Sequence, residues 1–365
     1  MRTVVRGTVI HVVAAVGVCA LIAAAPAQRK KKEEITQTLQ LPKELPAAVA
    51  GETRRLTFHT TPLSSKGLLS AQVRDALKAL GHEAGGGTVL HIRAFVAGSG
   101  DLRRVRDLVS EHFGDHKQPL PALSLVRAGG LPLEGAQVVL EATAVGKKDV
   151  NPNGLVFVPG AAATSDRPLD PVPPLAARSL EQLRQALKDA GSDATDVLRV
   201  TCMVSSLDQI AEVRKLVEAE YPRASLDYVQ TQRAAVQALA ACEAVARLHS
   251  GIAKRVQWVG PEDAPRAAMV AAPHVVLTGT QVSYGYQDAD SRLAFERLVK
   301  TLEGMGVSGR DAVYARYYPL AEPIAAQVRK LRAGFLGSPA SSMITVEGLA
   351  SMDAGFAADV VAAKD

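Results

Sequence analysis

Leu180, Leu183 and Leu187 recur at the three-to-four-residue spacing of a helix face, whereas Leu198, Val200, Cys202 and Val204 alternate as a strand does. The same succession of an amphipathic helix, a β-branched strand, a second helix and two closing strands occurs three times. The first copy runs through segments 68–82, 88–98, 101–113, 121–131 and 136–145. The second runs through 178–192, 196–206, 207–221, 224–232 and 236–246, and the third through 291–307, 311–321, 322–336, 341–349 and 355–363. At about one hundred residues each, the repeats are too long for a solenoid and have the size of small domains. The helices are expected to cover one face of each sheet and leave the other to pack inside a barrel, an α+β arrangement. Short turns such as Gly129-Gly130 and Arg233-Ala234 predict that the last two strands of each unit pair antiparallel. Three like units in one chain predict a covalently fused trimer that is a monomer in solution.

The boundaries that follow are 1–27 for a leader, 28–51 for a linker, and 52–148, 149–250 and 251–365 for the three repeats. In the leader, Arg2 and Arg6 precede an apolar run from Gly7 to Ala25, and Ala25-Pro26-Ala27 offers a small-residue cleavage site. A cleaved signal with a mature end at Gln28 is expected, hence an exported protein that leaves the membrane; the other reading is an anchor, since the run nears the length of a span. Cys19 lies in that run without a convincing lipobox. The cluster Arg29 to Lys32 is followed at once by Glu33 and Glu34 and reads as solvated. A formal net charge of +5, two of which leave with the leader, and an aromatic content of 4% give no footing for nucleic acid. Cys202 and Cys242 remain after cleavage. They pair only if their strands are neighbours with opposed side chains, and free buried thiols are the expectation.

Laid side by side, the repeats share further marks. Repeat 2 has a glycine-led strand Gly154-Leu-Val-Phe-Val-Pro-Gly160, a helix ending Ala-Leu-Lys-Asp-Ala-Gly191, the run Ala211-Glu-Val-Arg214, then Tyr221-Pro222-Arg223 and a last strand with Cys242-Glu243. Repeat 3 has Val275-Val-Leu-Thr-Gly279 and Pro339-Ala-Ser-Ser-Met343; repeat 1 lacks the glycine of its first strand, Leu56-Thr-Phe-His-Thr60. As an ordered set over roughly residues 52–365 these resemble the RidA/YjgF family of reactive-intermediate deaminases. The resemblance implies chorismate-mutase-like domains, each a mixed sheet with two helices on one face, joined here as a single-chain pseudotrimer with ligand clefts between units. It also implies hydrolysis of enamines and imines derived from amino acids, with neither cofactor nor metal. In that chemistry an arginine at the start of the penultimate strand grips the substrate carboxylate, and a glutamate on the last strand helps to place water.

Counted from its proline, the arginine position falls on Leu123 in repeat 1 and on Ser341 in repeat 3, neither of which can replace a guanidinium. In repeat 2 it falls on Ala224, with Arg223 one residue early. Alternation sets Ala224, Leu226 and Tyr228 towards the helices and Arg223, Ser225 and Asp227 on the opposite face, a register in which Arg223 takes the family role. The acid of the last strand is present in all three units as Glu141, Glu243 and Asp359, and Gly160, Gly279 and Thr280 complete the implied ligand contacts. Val-Arg recurs on the second helices at Arg106, Arg214 and Arg329 and reads as common ancestry with surface salt bridges. His112 and His116 share a helical spacing, but Gly114 and Pro119 suggest the helix has ended, and His91 reads as structural. No phosphate-binding loop, nucleophile elbow or dinucleotide fingerprint is present.

Two functions stand. One is an exported binding protein for small carboxylates or imino-acid-type metabolites, favoured by the missing arginines. The other is an enamine/imine deaminase with a single surviving site at Arg223 and Glu243. Some members of the resembled family are associated with RNA cleavage, against which charge and export both argue.

Overall fold

A computed structural model describes residues 42–365, so the leader and its cleavage site at Gln28 lie outside the described residues. Repeat 1 comprises β2 (Leu56–Thr60), α1 (Leu69–Glu83), β3 (Thr88–Ala97), α2 (Leu102–Asp115), β4 (Ala122–Ala128) and β5 (Val138–Val145), preceded by β1 (Ala48–Glu52). Repeat 2 comprises β6 (Leu155–Val158), β7 (Ala163–Ser165), α3 (Val172–Asp189), β8 (Val197–Val204), α4 (Ile210–Glu220), β9 (Ser225–Gln230) and β10 (Ala238–Arg247). After β11 (Val256–Val259) and β12 (Ala267–Val270), repeat 3 comprises β13 (His274–Thr278), β14 (Gln281–Tyr284), α5 (Asp288–Gly304), β15 (Ala312–Pro319), α6 (Glu322–Leu336), β16 (Ala340–Met343) and β17 (Ala354–Lys364). Two of the helices begin at side-chain caps. The Asp101 side chain accepts from the Arg103 N–H at the start of α2, and Gln287 and Asp290 close a capping box at the start of α5. The leucine face of α3 (Leu175, Leu180, Leu183, Leu187) is buried against its own sheet.

The order within repeat 1 is β2-β5-β3-β4, with β3 and β4 parallel and β5 antiparallel to both β2 and β3. Repeats 2 and 3 follow the same rule, β9 lying parallel to β8 and β16 parallel to β15. This corrects the expected antiparallel pairing of the last two strands. The intervening helix makes each penultimate strand the parallel end of a β-α-β crossover. The last strand then passes to the other side of the central strand.

The repeats also share strands. β1 falls in the expected linker, yet it pairs antiparallel with β13 of repeat 3. β11 and β12 fall in the span assigned to repeat 3, yet β12 pairs with β6 of repeat 2 and carries β11 with it. At the remaining junction Asn151 donates to the carbonyls of Thr53 and Leu56 in repeat 1. Repeats 1 and 3 thus begin on a neighbour's sheet, because an open sheet edge gains backbone partners that a bare linker would leave to water. Each unit has a helix-side core of its own. Two further apolar clusters join all three units inside the barrel, one around Leu56, Phe157, Leu277 and Tyr314, the other around Phe95, Val126, Val229 and Tyr318. No helix among the described residues is long and apolar enough to cross a membrane.

Candidate functional site

Alternation along the three central strands sets matching residues facing the barrel interior. These are His91, Arg93 and Phe95 on β3; Arg199, Thr201 and Met203 on β8; and Tyr314, Arg316 and Tyr318 on β15. Opposite Arg93, Thr201 and Arg316 on the last strands stand Glu141, Glu243 and Asp359. All of these charged groups are buried. Arg93 donates from Nε to Glu141 (2.7 Å) and from Nη2 to Glu243 (2.7 Å), and so ties repeat 1 to repeat 2. Arg316 donates to Glu243 and to Asp359, at 3.0 Å each. The hydroxyls of Tyr314 and Ser342 also donate to Glu243, those of Ser124 and Tyr318 donate to Asp359, and Thr201 donates to Glu141.

Burial alone would raise the Glu243 pKa, but Arg93 and Arg316 outweigh it and hold the carboxyl well below the usual range. Glu141 is lowered in the same way by Arg93 and Arg199 against its own burial. Burial pushes His91 down to about 4, so its ring is neutral, and Nε2 meets the Ser124 hydroxyl at 3.0 Å. Asp227 on β9 is pushed up to about 8 by burial and by the neighbouring Glu141 charge. Its Oδ2 has no acceptor-type bond; a proton held there can be donated to Glu141. With Asp227 protonated, three arginines face three carboxylates and the interior is balanced.

In this band both carboxylate oxygens of each predicted acid already accept a hydrogen bond. Arg223 lies exposed in the turn before β9, away from the buried Glu243, and the two are not brought together. The alternation behind the prediction does hold for the others. Leu226 and Tyr228 pack on the helix-side core and Asp227 faces the axis. The register nevertheless equates Leu123, Leu226 and Ser341, since Ser124, Asp227 and Ser342 stand beside Arg93, Thr201 and Arg316. The family's arginine position in repeat 2 is therefore Leu226, three residues beyond Arg223, because the approach to β9 is longer than a count from Pro222 assumes.

The expected clefts differ. Between repeats 1 and 3 the Thr280 N–H donates to the Leu123 carbonyl (3.2 Å), and the Leu125 N–H donates to the Thr280 hydroxyl (3.3 Å). A Cβ on Gly279 would stand 2.5 Å from that Leu123 oxygen, so glycine is what lets the strands close. Between repeats 2 and 3 the Gly160 N–H donates to the Ser342 hydroxyl (2.9 Å) on the axis side. On the helix side of the same strand, a cavity of about 180 Å³ is lined by Arg329, Arg332, Ser341 and Met343 and by Ala264 and Pro265 of the β11–β12 turn. Arg332 donates to the Ser341 hydroxyl, and its guanidinium lies 5.6 Å from the Tyr317 ring centre. On α2 and α4 the corresponding positions are Val109 and Val217, both fully buried. Repeat 3 alone combines arginine on the helix with serine on the strand. The signal was present in the aligned runs Val-Arg-Asp-Leu-Val, Val-Arg-Lys-Leu-Val and Val-Arg-Lys-Leu-Arg.

Cys202 and Cys242 are directly opposed on the antiparallel strands β8 and β10 and form a disulfide with Cα atoms 4.1 Å apart. That corrects the expectation of free thiols; strand order supplied the proximity that spacing could not. Helix α2 continues to Asp115 and includes His112, whose carbonyl meets His116 Nδ1. Asp193, Asp196 and His249 approach one another near the surface, where both aspartates already cap a short turn.

No protein-family model matches this sequence, and no curated protein matches it. Solved structures do. A member of the YjgF/YER057c/UK114 family from Mycobacterium tuberculosis is 23% identical, over 30% of this chain and 99% of its own, with a TM-score of 0.24. A Rid-family protein of unknown function from Yersinia pestis is 19% identical over 30% and 100%, with a TM-score of 0.27. RidA from an Antarctic Psychrobacter is 16% identical over 30% and 99%, with a TM-score of 0.24. About one repeat of this chain matches each of them along nearly its whole length, and the likeness is one of fold.

Proposed function

We propose that this chain is an exported, single-chain RidA-like pseudotrimer that binds small carboxylate metabolites in the cleft between repeats 2 and 3, without deaminating them. The carrying observation is Arg332, which reaches Ser341 beside an open cavity where the two sister helices bury valine. A guanidinium fork suits a carboxylate, and the apolar walls Pro265, Pro339 and Met343 suit a short hydrocarbon tail. The deaminase alternative is less well supported. Its cation, Arg223, is exposed, and its acid, Glu243, is neutralised by two arginines in the barrel. Export fits the leader pattern and a buried disulfide, a bond that persists in oxidising compartments.

The test is calorimetric titration of the signal-free protein with short 2-oxo acids and simple carboxylates, repeated with Arg332→Leu. A charged hydrogen bond of about 1.5–3 kcal/mol predicts roughly ten- to a hundredfold weaker binding in the variant. Equal affinity in both proteins would remove this reading. Ammonia release from a freshly generated imino acid is expected to stay at the buffer rate, and Arg223→Ala is expected to change neither measurement. Release that vanishes in Arg223→Ala would restore the deaminase.

A further inference from the structure

Arg199 is the arginine that the ionic band holds least tightly. It is only 5% exposed, yet among the described residues its guanidinium donates no hydrogen bond; its nearest carboxylate oxygen is Oε2 of Glu141 at 3.6 Å. That carboxylate is already engaged by Arg93 and Thr201. A guanidinium carries five N–H donors, and burying them unmatched is costly. Arg93 and Arg316 show the contrast, each bonded to two carboxylates. Burial lowers the Arg199 pKa, and the Arg93 and Arg316 charges add to that against the opposing pull of Glu141.

The same side chain lines a small cavity near the barrel axis whose walls come from all three repeats. Phe58, His91 and Thr143 belong to repeat 1, Arg199 and Phe157 to repeat 2, and Thr278, Arg316 and Asp359 to repeat 3. The Phe58 ring centre lies 5.4 Å from the Arg199 guanidinium carbon. The Thr278 hydroxyl oxygen already accepts the Val360 N–H at 2.9 Å, which leaves its proton free to donate. The Asp359 carboxylate in the wall is already held by Arg316, Ser124 and Tyr318, so the uncommitted donors facing a guest are those of Arg199 and Thr278. Its volume of about 10 Å³ admits one particle the size of a water molecule.

We propose that this axial cavity is a binding site for a single monatomic anion of the chloride class, held by Arg199 with help from Thr278. The sister positions on the central strands are His91, neutral and bonded to Ser124, and Tyr314, bonded to Glu243, so among these three positions only repeat 2 supplies a cation, one paired with Glu141 at 3.6 Å but without a hydrogen bond. The site is distinct from the Arg332 cleft and does not depend on it.

Crystals of the signal-free chain grown in millimolar bromide, with diffraction measured at the bromine edge, test the idea directly. One anomalous peak within hydrogen-bonding reach of the Arg199 guanidinium is expected. In solution, the melting temperature should rise saturably with chloride at constant ionic strength made up with gluconate. Arg199→Met should weaken that halide response at least tenfold. A water at the site with no anomalous signal, or a peak only at molar bromide (an adventitious ion only), overturns the proposal, as does a melting temperature indifferent to the anion. The wild-type diffraction decides the matter even if Arg199→Met fails to fold.

Discussion

Arg93 shows what one side chain can hold together. It contacts acids from repeats 1 and 2 and the Tyr318 hydroxyl of repeat 3, with 1% of its surface exposed. Arg93→Met would leave Glu141 and Glu243 short of a partner in a buried site, a loss of about 3–5 kcal/mol. Denaturant unfolding should show it, whereas the exposed Arg223→Ala should leave the midpoint unmoved; a small Arg93 effect would mean that water reaches the band. Asp227 supplies a pH test. Its folded pKa of about 8 lies above the unfolded carboxyl value of about 3.9, so the folded state holds a proton that the unfolded state releases between them. This group's contribution is therefore full below about pH 4 and lost as pH rises to about 8. Asp227→Asn, neutral throughout, is expected to flatten that decline. Parallel stability-against-pH curves for the two proteins would show that Asp227 is ionised when folded. These residues were partly legible: a lone arginine sits within each of the runs His91-Ile-Arg93-Ala-Phe95, Val197-Leu-Arg199-Val and Tyr314-Ala-Arg316-Tyr. Their pairing was not, because the partners lie 43 to 150 residues away and Glu243 is held by arginines of the other two repeats.

At the scale of elements, β8 is the centre of repeat 2, paired to β10 on one side and β9 on the other, and the disulfide fixes the first of these pairings. The bond spans 40 residues of sequence, including α4 and β9. Opening it should cost about 2–4 kcal/mol by freeing that loop in the unfolded chain. Urea unfolding with and without reductant measures this, and equal midpoints for fully oxidised and fully reduced protein would contradict it. Element type followed from periodicity, because each helix buries one face while successive residues of the central strands alternate between the helix-side core and the barrel interior. Strand order did not. Leu226 and Arg223 differ in role through the length of the approach to β9, which a count of residues from a proline cannot supply.

At the largest scale, residues 42–365 form a ring closed through β1 on β13, with an ionic band and two apolar layers shared by all three repeats. A single repeat cut from the chain loses those partners. Repeat 2 alone would expose Glu243, Arg199 and the inner face of β10, and it is expected to remain unfolded or to self-associate. Circular dichroism with size-exclusion chromatography on residues 149–250 distinguishes these outcomes from a stable folded monomer, which would show that the units are independent. The full chain should elute as one copy of 38.4 kDa, less the leader where it is removed.

The sequence by itself determined the threefold repeat, the α+β class, the helices and most strands. Each of these rests on local periodicity or on comparing one repeat with another inside the chain. It also showed that Leu123 and Ser341 break the arginine pattern, since identity at a position needs no coordinates. Only the tertiary structure decided that β1 belongs to repeat 3's sheet and that Cys202 meets Cys242. It alone set Glu141, Glu243 and Asp359 among arginines and brought Arg332 from a helix to Ser341 on a strand. Those are meetings between elements, settled by which edges and faces remain open once every unit has formed, and no short-range pattern along the chain encodes them.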